Sequence, residues 1–379
     1  MHPTRKAALT AIALLAVATA GCEPGATGTA SHRSSAAPGC PAALARAKQA
    51  VKKAEAVDAP WTGPTTGPEA AGSGKSVVFI AHDLSNPGPA GVAQGAQEAA
   101  KLLGWNVRTL NGQGTDAGYR SAFQRAVDLK PDGIVLAGFD SGSVAAEVKK
   151  AKAAGITLIG WHAAPAPGPG GDPKLFTNVS TRVEDVGKTT ADWIIARSNG
   201  RAGVVLFTDA TVAFAKHKSD LIEKGLAACP DVKVLSYRNV PIPEVNRRAA
   251  GEVRALLARF GDKWTYSAAI NDLYFGHIDS ALRAAGKDGA GAPYNIGAGD
   301  GDPSAFQRVN GERYQAATVP EPLTEQGWQI IDEFNRAFSS EPASGYVSPV
   351  HITTAANSGG ALSWDSEGYR QAYRKIWGK

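Results

Sequence analysis

The chain of 379 residues contains only three cysteines, and no two of them have the spacing of a zinc-ligand pair. It also lacks the G-x-S-x-G and H-E-x-x-H motifs of common hydrolases and metalloproteases. Its seven histidines are dispersed, and its basic residues form no stripe despite a net charge of +5. We therefore expect no enzymatic activity, no metal or other cofactor, and no nucleic-acid partner. A glycosidase remains an alternative, because the many carboxylates permit a catalytic pair although no feature selects one.

The sequence has no apolar run that spans a bilayer comfortably, which takes about 20 residues. The apolar run at 7–20 follows two basic residues and ends at small ones, which is the pattern of a secretory signal. The letters TAGC at 19–22 resemble a bacterial lipobox, with Thr where Leu is usual. We expect a signal peptide at 1–21 and a lipid on Cys22 that holds the chain, outside the cytoplasm, to a membrane. The alternative is an ordinary secreted protein with an incidental cysteine.

Cys40 and Cys229 remain once Cys22 is assigned to lipid. Disulfides persist outside the cytoplasm, and an even remainder permits one bridge. Two unpaired thiols are the alternative, since sequence cannot show that the two residues are close. Residues 22–75 are expected to form a tether and a helical extension, which Trp61 anchors to the body of the protein.

From Ser76 onward, short apolar runs alternate with amphipathic helical segments. This alternation predicts parallel βαβ units whose strands are covered on both faces. A proline- and glycine-rich break at Ala164–Pro173 interrupts the alternation, which then restarts. The sequence therefore predicts an α/β protein with two doubly wound parallel-sheet lobes.

Polar or aromatic side chains follow nearly every predicted strand. Ligands of open parallel sheets bind outside the carboxyl ends of the strands, so these side chains are candidate ligand contacts. Carboxylates, amides and aromatic faces in such a ring suit a neutral, hydroxyl-rich ligand. An Asp or Asn at such a place is also an ordinary helix cap, which is the simpler interpretation for any single position. The candidates at strand ends are Asp83, Ser85, Asn86, Phe139, Asp140, Trp161, His162, Asn271, Asp272, Asp300 and Glu321.

Six segments, in order, resemble motifs of the ribose-type, type I periplasmic sugar-binding proteins of ABC transporters. The resemblance covers the chain from Ser76 to about Lys379 and implies one ligand-binding residue in each segment. The segments and their residues are AHDLSNP with Asn86, LAGFDSGS with Asp140, AFAKHKSDLIEKGL with Lys218, INDLY with Asn271, GAGDGDPSAF with Asp300, and ATVPEPLTEQG with Glu321.

The resemblance implies a first lobe at 76–161 plus 322–348 and a second at 162–321 plus 349–379. It further implies a monomer with a multi-strand hinge between the lobes. The implied function is to capture a sugar-like small molecule between the lobes and deliver it to an ABC permease in the membrane. A lipoprotein that senses the ligand and signals to a membrane receptor is the alternative, because the fold does not separate the two roles.

The chain departs from the ribose-binding pattern at several ligand positions. Gly88 and Pro89 stand where ribose binders have aromatic residues, and Gly299 replaces another aromatic. Lys218 replaces an Arg and loses its planar bidentate fork, while Glu321 replaces a Gln and adds charge. We therefore expect a ligand other than ribose. The aromatic contacts are expected from Phe139, Trp161, Phe214 or Tyr274.

Overall fold

The computed structural model describes residues 39–56 and 59–379, so the expected signal peptide and Cys22 lie outside the described residues. Helices and parallel strands alternate along most of this part of the chain. The helices are α1 (Pro41–Ala54), α2 (Pro87–Leu102), α3 (Asp116–Asp128), α4 (Ala145–Ala153), α5 (Val183–Arg197), α6 (Ala213–Leu226), α7 (Val245–Phe260), α8 (Leu273–Ala284), α9 (Pro303–Asn310), α10 (Leu323–Phe338) and α11 (Tyr369–Trp377).

The strands form two six-stranded sheets within the described residues. The first sheet contains β1 (Ser76–Ala81), β2 (Asn106–Asn111), β3 (Gly133–Ala137), β4 (Thr157–Trp161), β5 (Gly168–Gly170) and β6 (Leu175–Val179). The second contains β7 (Ala202–Thr208), β8 (Val232–Asn239), β9 (Tyr266–Ala269), β10 (Tyr294–Gly297), β11 (Ala317–Thr318) and β12 (Thr353–Thr354).

Both sheets have the same winding. Their orders are β2-β1-β3-β4-β6-β5 and β8-β7-β9-β10-β11-β12, and only β5 and β12 run antiparallel to their neighbours. In β1, Val77 and Phe79 pack with α2 and α10, whereas Val78 and Ile80 pack with α3 and α4 on the opposite face. A strand that is buried on both faces explains the continuous apolar run. The predicted pair of doubly wound lobes is confirmed.

The lobe boundaries differ from the expected ones at two places. β6 pairs with β4, so the first sheet continues to Val179 and the second lobe begins after it rather than at 162. Helix α11 packs on the first lobe through Tyr373 and Trp377, although the tail 349–379 was expected in the second lobe. Only β12 of that tail joins the second sheet. Long-range packing, which local patterns do not encode, decides both assignments.

Helices α2 and α10 approach each other closely through glycines. A Cβ on Gly95 would lie 2.5 Å from the carbonyl oxygen of Thr324, and a Cβ on Gly327 would lie 2.5 Å from the amide nitrogen of Ala96. Because a Cβ at either position would meet backbone, these glycines set the distance between the two helices. Helix α10 lies near the chain crossing after β11 and leads back into the first lobe.

The N-terminal extension is fastened to both lobes. Cys40, directly before α1, is bonded to Cys229 at a sequence separation of 189, and α1 packs on the second lobe. Trp61 contacts Tyr346 and Tyr373 at ring-centroid distances of 4.8 and 5.1 Å, as expected for an anchor on the body. Among the described helices, none is both long and apolar enough to cross a membrane.

Candidate ligand-binding site

A polar cavity lies between the carboxyl ends of the two sheets. Residues that follow β1, β3 and β4 line it from the first lobe, and residues that follow β7, β9 and β10 line it from the second. The lining residues include His82, Asn86, Trp161, His162, Phe214, Lys218, Asn271 and Asp300. Seven of these eight residues are among the thirteen ligand contacts predicted from the sequence. The eighth, His82, was not predicted.

Three aromatic rings stack across the cleft. Trp161 and His162 belong to the end of β4, and Phe214 belongs to α6 of the second lobe. The His162 ring lies 4.1 Å from that of Trp161 and 4.5 Å from that of Phe214, with both pairs nearly parallel. His162 has a positive φ of 51°, which is uncommon for a residue with a Cβ and is often found at binding sites. These rings supply the aromatic surface that Gly88 and Pro89 do not.

Several buried polar atoms at the cavity have no hydrogen-bond partner among the described residues. They are both ring nitrogens of His82, Nε2 of His162, Oδ1 of Asn271 and Oδ2 of Asp300. Unpartnered buried polar atoms are rare and costly in folded proteins. Their concentration here provides donors and acceptors that a polar ligand would satisfy.

Lys218 is the central cation of the cavity. Its ammonium donates to the carbonyl oxygens of Ile270 and Ala298 at 3.2 and 2.5 Å and lies 5.3 Å from the centre of the Phe214 ring. Burial lowers the pKa of Lys218, while Glu321 and Asp300 raise it. The lysine is therefore fixed in place and is predicted to contact ligand as a single charge rather than as a fork.

The pKa of the Asp300 carboxyl group lies well above the usual range of an aspartic acid. Burial raises its pKa to about 8, although Lys218 lowers it. A neutral carboxyl group donates one hydrogen bond and accepts others, which suits a ligand hydroxyl. A Cβ on Gly88 of the first lobe would lie 2.5 Å from Cγ of Asp300, so the missing side chain at Gly88 lets this carboxyl approach α2.

Glu321 lies behind the cavity, where the chain crosses between lobes. Its carboxylate accepts from Oγ1 of Thr181 and Nε2 of Gln326, both at 2.8 Å, and Gln326 in turn accepts from Nε1 of Trp161. Burial raises the pKa of Glu321 and lowers the pKa of His162 well below its usual range. His162 is therefore neutral near pH 7, and the 3.5 Å distance between its Nε2 and Oε1 of Glu321 does not represent an ion pair. This chain of bonds connects the hinge to the aromatic stack.

Four predicted residues lie away from the cavity. Asp272 is fully buried and accepts from the Gly301 amide at 2.7 Å and from Thr318 Oγ1 at 2.9 Å, so it supports the loop that carries Asp300. Phe139 stacks on Tyr119 inside the first core. Asp83 accepts from the Ser85 amide at 2.9 Å, and Ser85 is exposed in that turn. The strand-end pattern selects such residues without distinguishing loop supports from ligand contacts.

Two further candidates have a double role as caps. Asn86 accepts from the Gly88 amide at 3.3 Å as the N-cap of α2 and also lines the cavity. Asp140 accepts from the Gly142 amide at 2.8 Å and lies on a second compartment of the cleft. Capping and ligand contact are thus compatible interpretations for these two residues.

Residues that the prediction missed come from loops and from the hinge. His82 directly precedes Asp83, so the strand-end pattern contained the signal for it. Thr181 and Gln326 act through Glu321, and only tertiary structure reveals them. Within 39–56 and 59–379, no group of three or more His, Cys, Asp or Glu side chains is arranged to hold a metal ion.

The chain was compared with known proteins. A family model described as a periplasmic binding protein domain matches residues 77–340. A search of curated proteins gave no match.

Solved structures share the fold at low sequence identity. A myo-inositol binding protein from Caulobacter, bound to myo-inositol, is 22% identical with a TM-score of 0.66, covering 77% of this chain and 96% of its own. An ABC sugar transporter subunit from Rhodobacter sphaeroides is 20% identical with a TM-score of 0.64, covering 75% and 99%. A solute-binding protein from Burkholderia graminis in complex with D-arabinose is 18% identical with a TM-score of 0.67, covering 78% and 99%.

The fold shared with these structures agrees with the two-sheet topology. They confirm the resemblance in fold to the type I sugar-binding proteins of ABC transporters. Because the family model spans most of the chain, the protein belongs to the periplasmic binding protein family and has the two-lobed type I fold of its sugar-binding members.

Proposed function

We propose that the protein is an extracytoplasmic solute-binding lipoprotein that captures a sugar or sugar-like polar ligand between its lobes and delivers it to an ABC permease. The observation that carries this proposal is the set of unpartnered polar atoms on both sides of the cleft. Structural neighbours that bind myo-inositol and D-arabinose support it.

Binding in this proposal requires movement. The inner cavity measures about 50 Å³, which is about a third of the roughly 150 Å³ cavity that accepts a benzene molecule. A sugar ring therefore enters only if the lobes separate or if His162 leaves its place between Trp161 and Phe214. Closure around the ligand then brings contacts from both lobes together, and the closed form is the one expected to dock on the permease.

The ligand is sought with a thermal-shift screen of monosaccharides, cyclic polyols and their methyl glycosides, followed by calorimetry on the hits. A specific ligand raises the melting temperature because it binds the native state only. Asn271→Ala should weaken binding by about 1–3 kcal/mol, since a ligand hydroxyl would lose its buried acceptor. Asn106→Ala, at an exposed position on the edge strand β2, is the matched control and should bind as the unaltered protein does. Absence of any sugar or polyol hit would refute the proposed ligand class.

Attachment to the membrane is tested separately. A fatty-acid analogue fed to expressing cells should label the protein, and Cys22→Ser should remove the label and release the chain from the membrane fraction. An unlabelled protein that is still secreted would favour the ordinary secreted form, and a labelled Cys22→Ser variant would place the lipid on another residue.

A further inference from the structure

A second compartment adjoins the polar cavity at the mouth of the cleft. It measures about 260 Å³ and has walls from both lobes. The first lobe contributes residues from the β3 and β4 ends, and the second contributes the start of α6. Six of its nine lining residues are apolar, namely Ala163, Ala164, Pro165, Val212, Ala213 and Phe214.

The His162 and Phe214 rings separate the two compartments. Both residues, together with Val212, line both spaces, and the two rings are stacked at 4.5 Å. On the inner side the walls present unpartnered atoms of Asn271 and Asp300. The cleft therefore has a hydrogen-bonding half and a mainly apolar half that share one aromatic wall.

The outer compartment offers little to a second hydroxyl-rich unit. Its polar side chains are His162, Asp140 and His217, and one oxygen of Asp140 already accepts from the Gly142 amide. Sugar hydroxyls enclosed by alanine, proline and valine would lose water without gaining partners, which is unfavourable. An apolar group gains free energy in the same place in proportion to the area it buries. A cavity of about 150 Å³ accepts a benzene molecule, so this compartment is large enough for a phenyl-sized group.

We infer that the ligand is a glycoside with an apolar aglycone, whose sugar unit binds in the inner compartment and whose aglycone occupies the outer one. This inference rests on the proposed sugar-binding function and narrows its ligand class. The inference depends on two adjacent features of the cleft. Unpartnered polar atoms of Asn271 and Asp300 line the inner side, and alanine, proline and valine line the space beyond the His162–Phe214 pair.

The test compares matched ligands on the full chain. Free arabinose, galactose, glucose and ribose, and the methyl and phenyl glycosides of each, are titrated by calorimetry. For the sugar that binds, the phenyl glycoside should bind at least about tenfold more tightly than the methyl glycoside, given the apolar area that becomes buried. Equal affinities of the phenyl and methyl forms, or weaker binding of the phenyl form, would overturn the inference while leaving sugar binding in place. Failure of every sugar and glycoside to bind would overturn the inference, and the proposed function would then be decided by the cyclic polyols of the thermal-shift screen.

A space-filling variant locates the effect. Ala213→Trp places a large ring in the outer compartment from an exposed position at the start of α6, so the ratio of phenyl to methyl affinity should fall toward one. Ala284→Trp, at an exposed position near the end of α8, is the matched control and should keep the ratio of the unaltered protein. The melting temperature of each variant is measured alongside. If the ratio of phenyl to methyl affinity persists in Ala213→Trp, the phenyl group binds elsewhere and its assignment to the outer compartment is wrong. If this variant does not fold, the ratio measured on the unaltered protein still tests the inference.

Discussion

The bond between Cys40 and Cys229 should contribute strongly to the stability of the second lobe. It connects the residue before α1 to the segment after α6, and both cysteines are buried. Replacing both residues by serine removes the covalent link. The apolar contacts of Leu44 and Ala47 with the second lobe remain in the double variant, so the change isolates the crosslink as far as the chain allows.

The expected magnitude follows from the loop that the bond closes. In the chain-entropy description, a separation of 189 residues corresponds to a loss of about 5 kcal/mol when the crosslink is removed. Removal of native disulfides typically costs about 2–5 kcal/mol. We therefore expect the free energy of unfolding to fall by at least about 2 kcal/mol in the double variant.

Urea unfolding followed by circular dichroism measures this loss in the non-lipidated protein. A reductant should reproduce the loss in the unaltered protein and should have no effect on the double variant. Mass spectrometry after alkylation should find neither thiol free in the unaltered protein. Two free thiols, or a loss below about 1 kcal/mol, would refute the reasoning.

Two further predictions concern buried acids and helix packing. Burial raises the pKa of Asp300 from 3.8 to about 8, so the folded protein binds more protons than the unfolded chain between these pH values. The free energy of unfolding should therefore fall as pH rises through this window. Asp300→Asn should make the melting temperature less dependent on pH when it is measured from pH 5 to 9. Gly327→Ala should destabilise the protein by about 1–3 kcal/mol in urea unfolding, because its Cβ would meet the backbone of α2. The control is Gly251→Ala, at an exposed position on α7 with open space around it, and it should stabilise the protein by about 0.5–1 kcal/mol.

Local sequence patterns predicted the elements of the fold but not all of their partners. The apolar runs and helical segments predicted two doubly wound lobes, because strand burial and helix amphipathicity produce recognisable patterns among neighbouring residues. The placement of β6 in the first sheet and of α11 on the first core depends on contacts between distant segments. The proline- and glycine-rich break at Ala164–Pro173 does not separate the two sheets, because it contains β5 and precedes β6, and both strands belong to the first sheet.

The same limit applies to the site. Asn271 and Asp272 are adjacent after β9, yet one has an unpartnered oxygen at the cavity and the other is hydrogen-bonded behind it. The direction of a side chain after a strand depends on the turn that follows, and the strand-end pattern carries no information about that turn. The pattern therefore selects the neighbourhood of the site, and the structure selects the residue.

The glycines that depart from the ribose-binding pattern acquire a physical role in the closed cleft. A Cβ at Gly88 would lie 2.5 Å from the Asp300 carboxyl carbon, and a Cβ at Gly299 would lie 3.0 Å from Nζ of Lys218. Bulky aromatics at these two positions would displace the acid and the cation that line the cavity. The absence of aromatic residues there is thus coupled to the presence of Asp300 and Lys218, and the aromatic surface moves to the stack around His162. Differences that argue against a ribose ligand when considered singly are parts of one rearranged site.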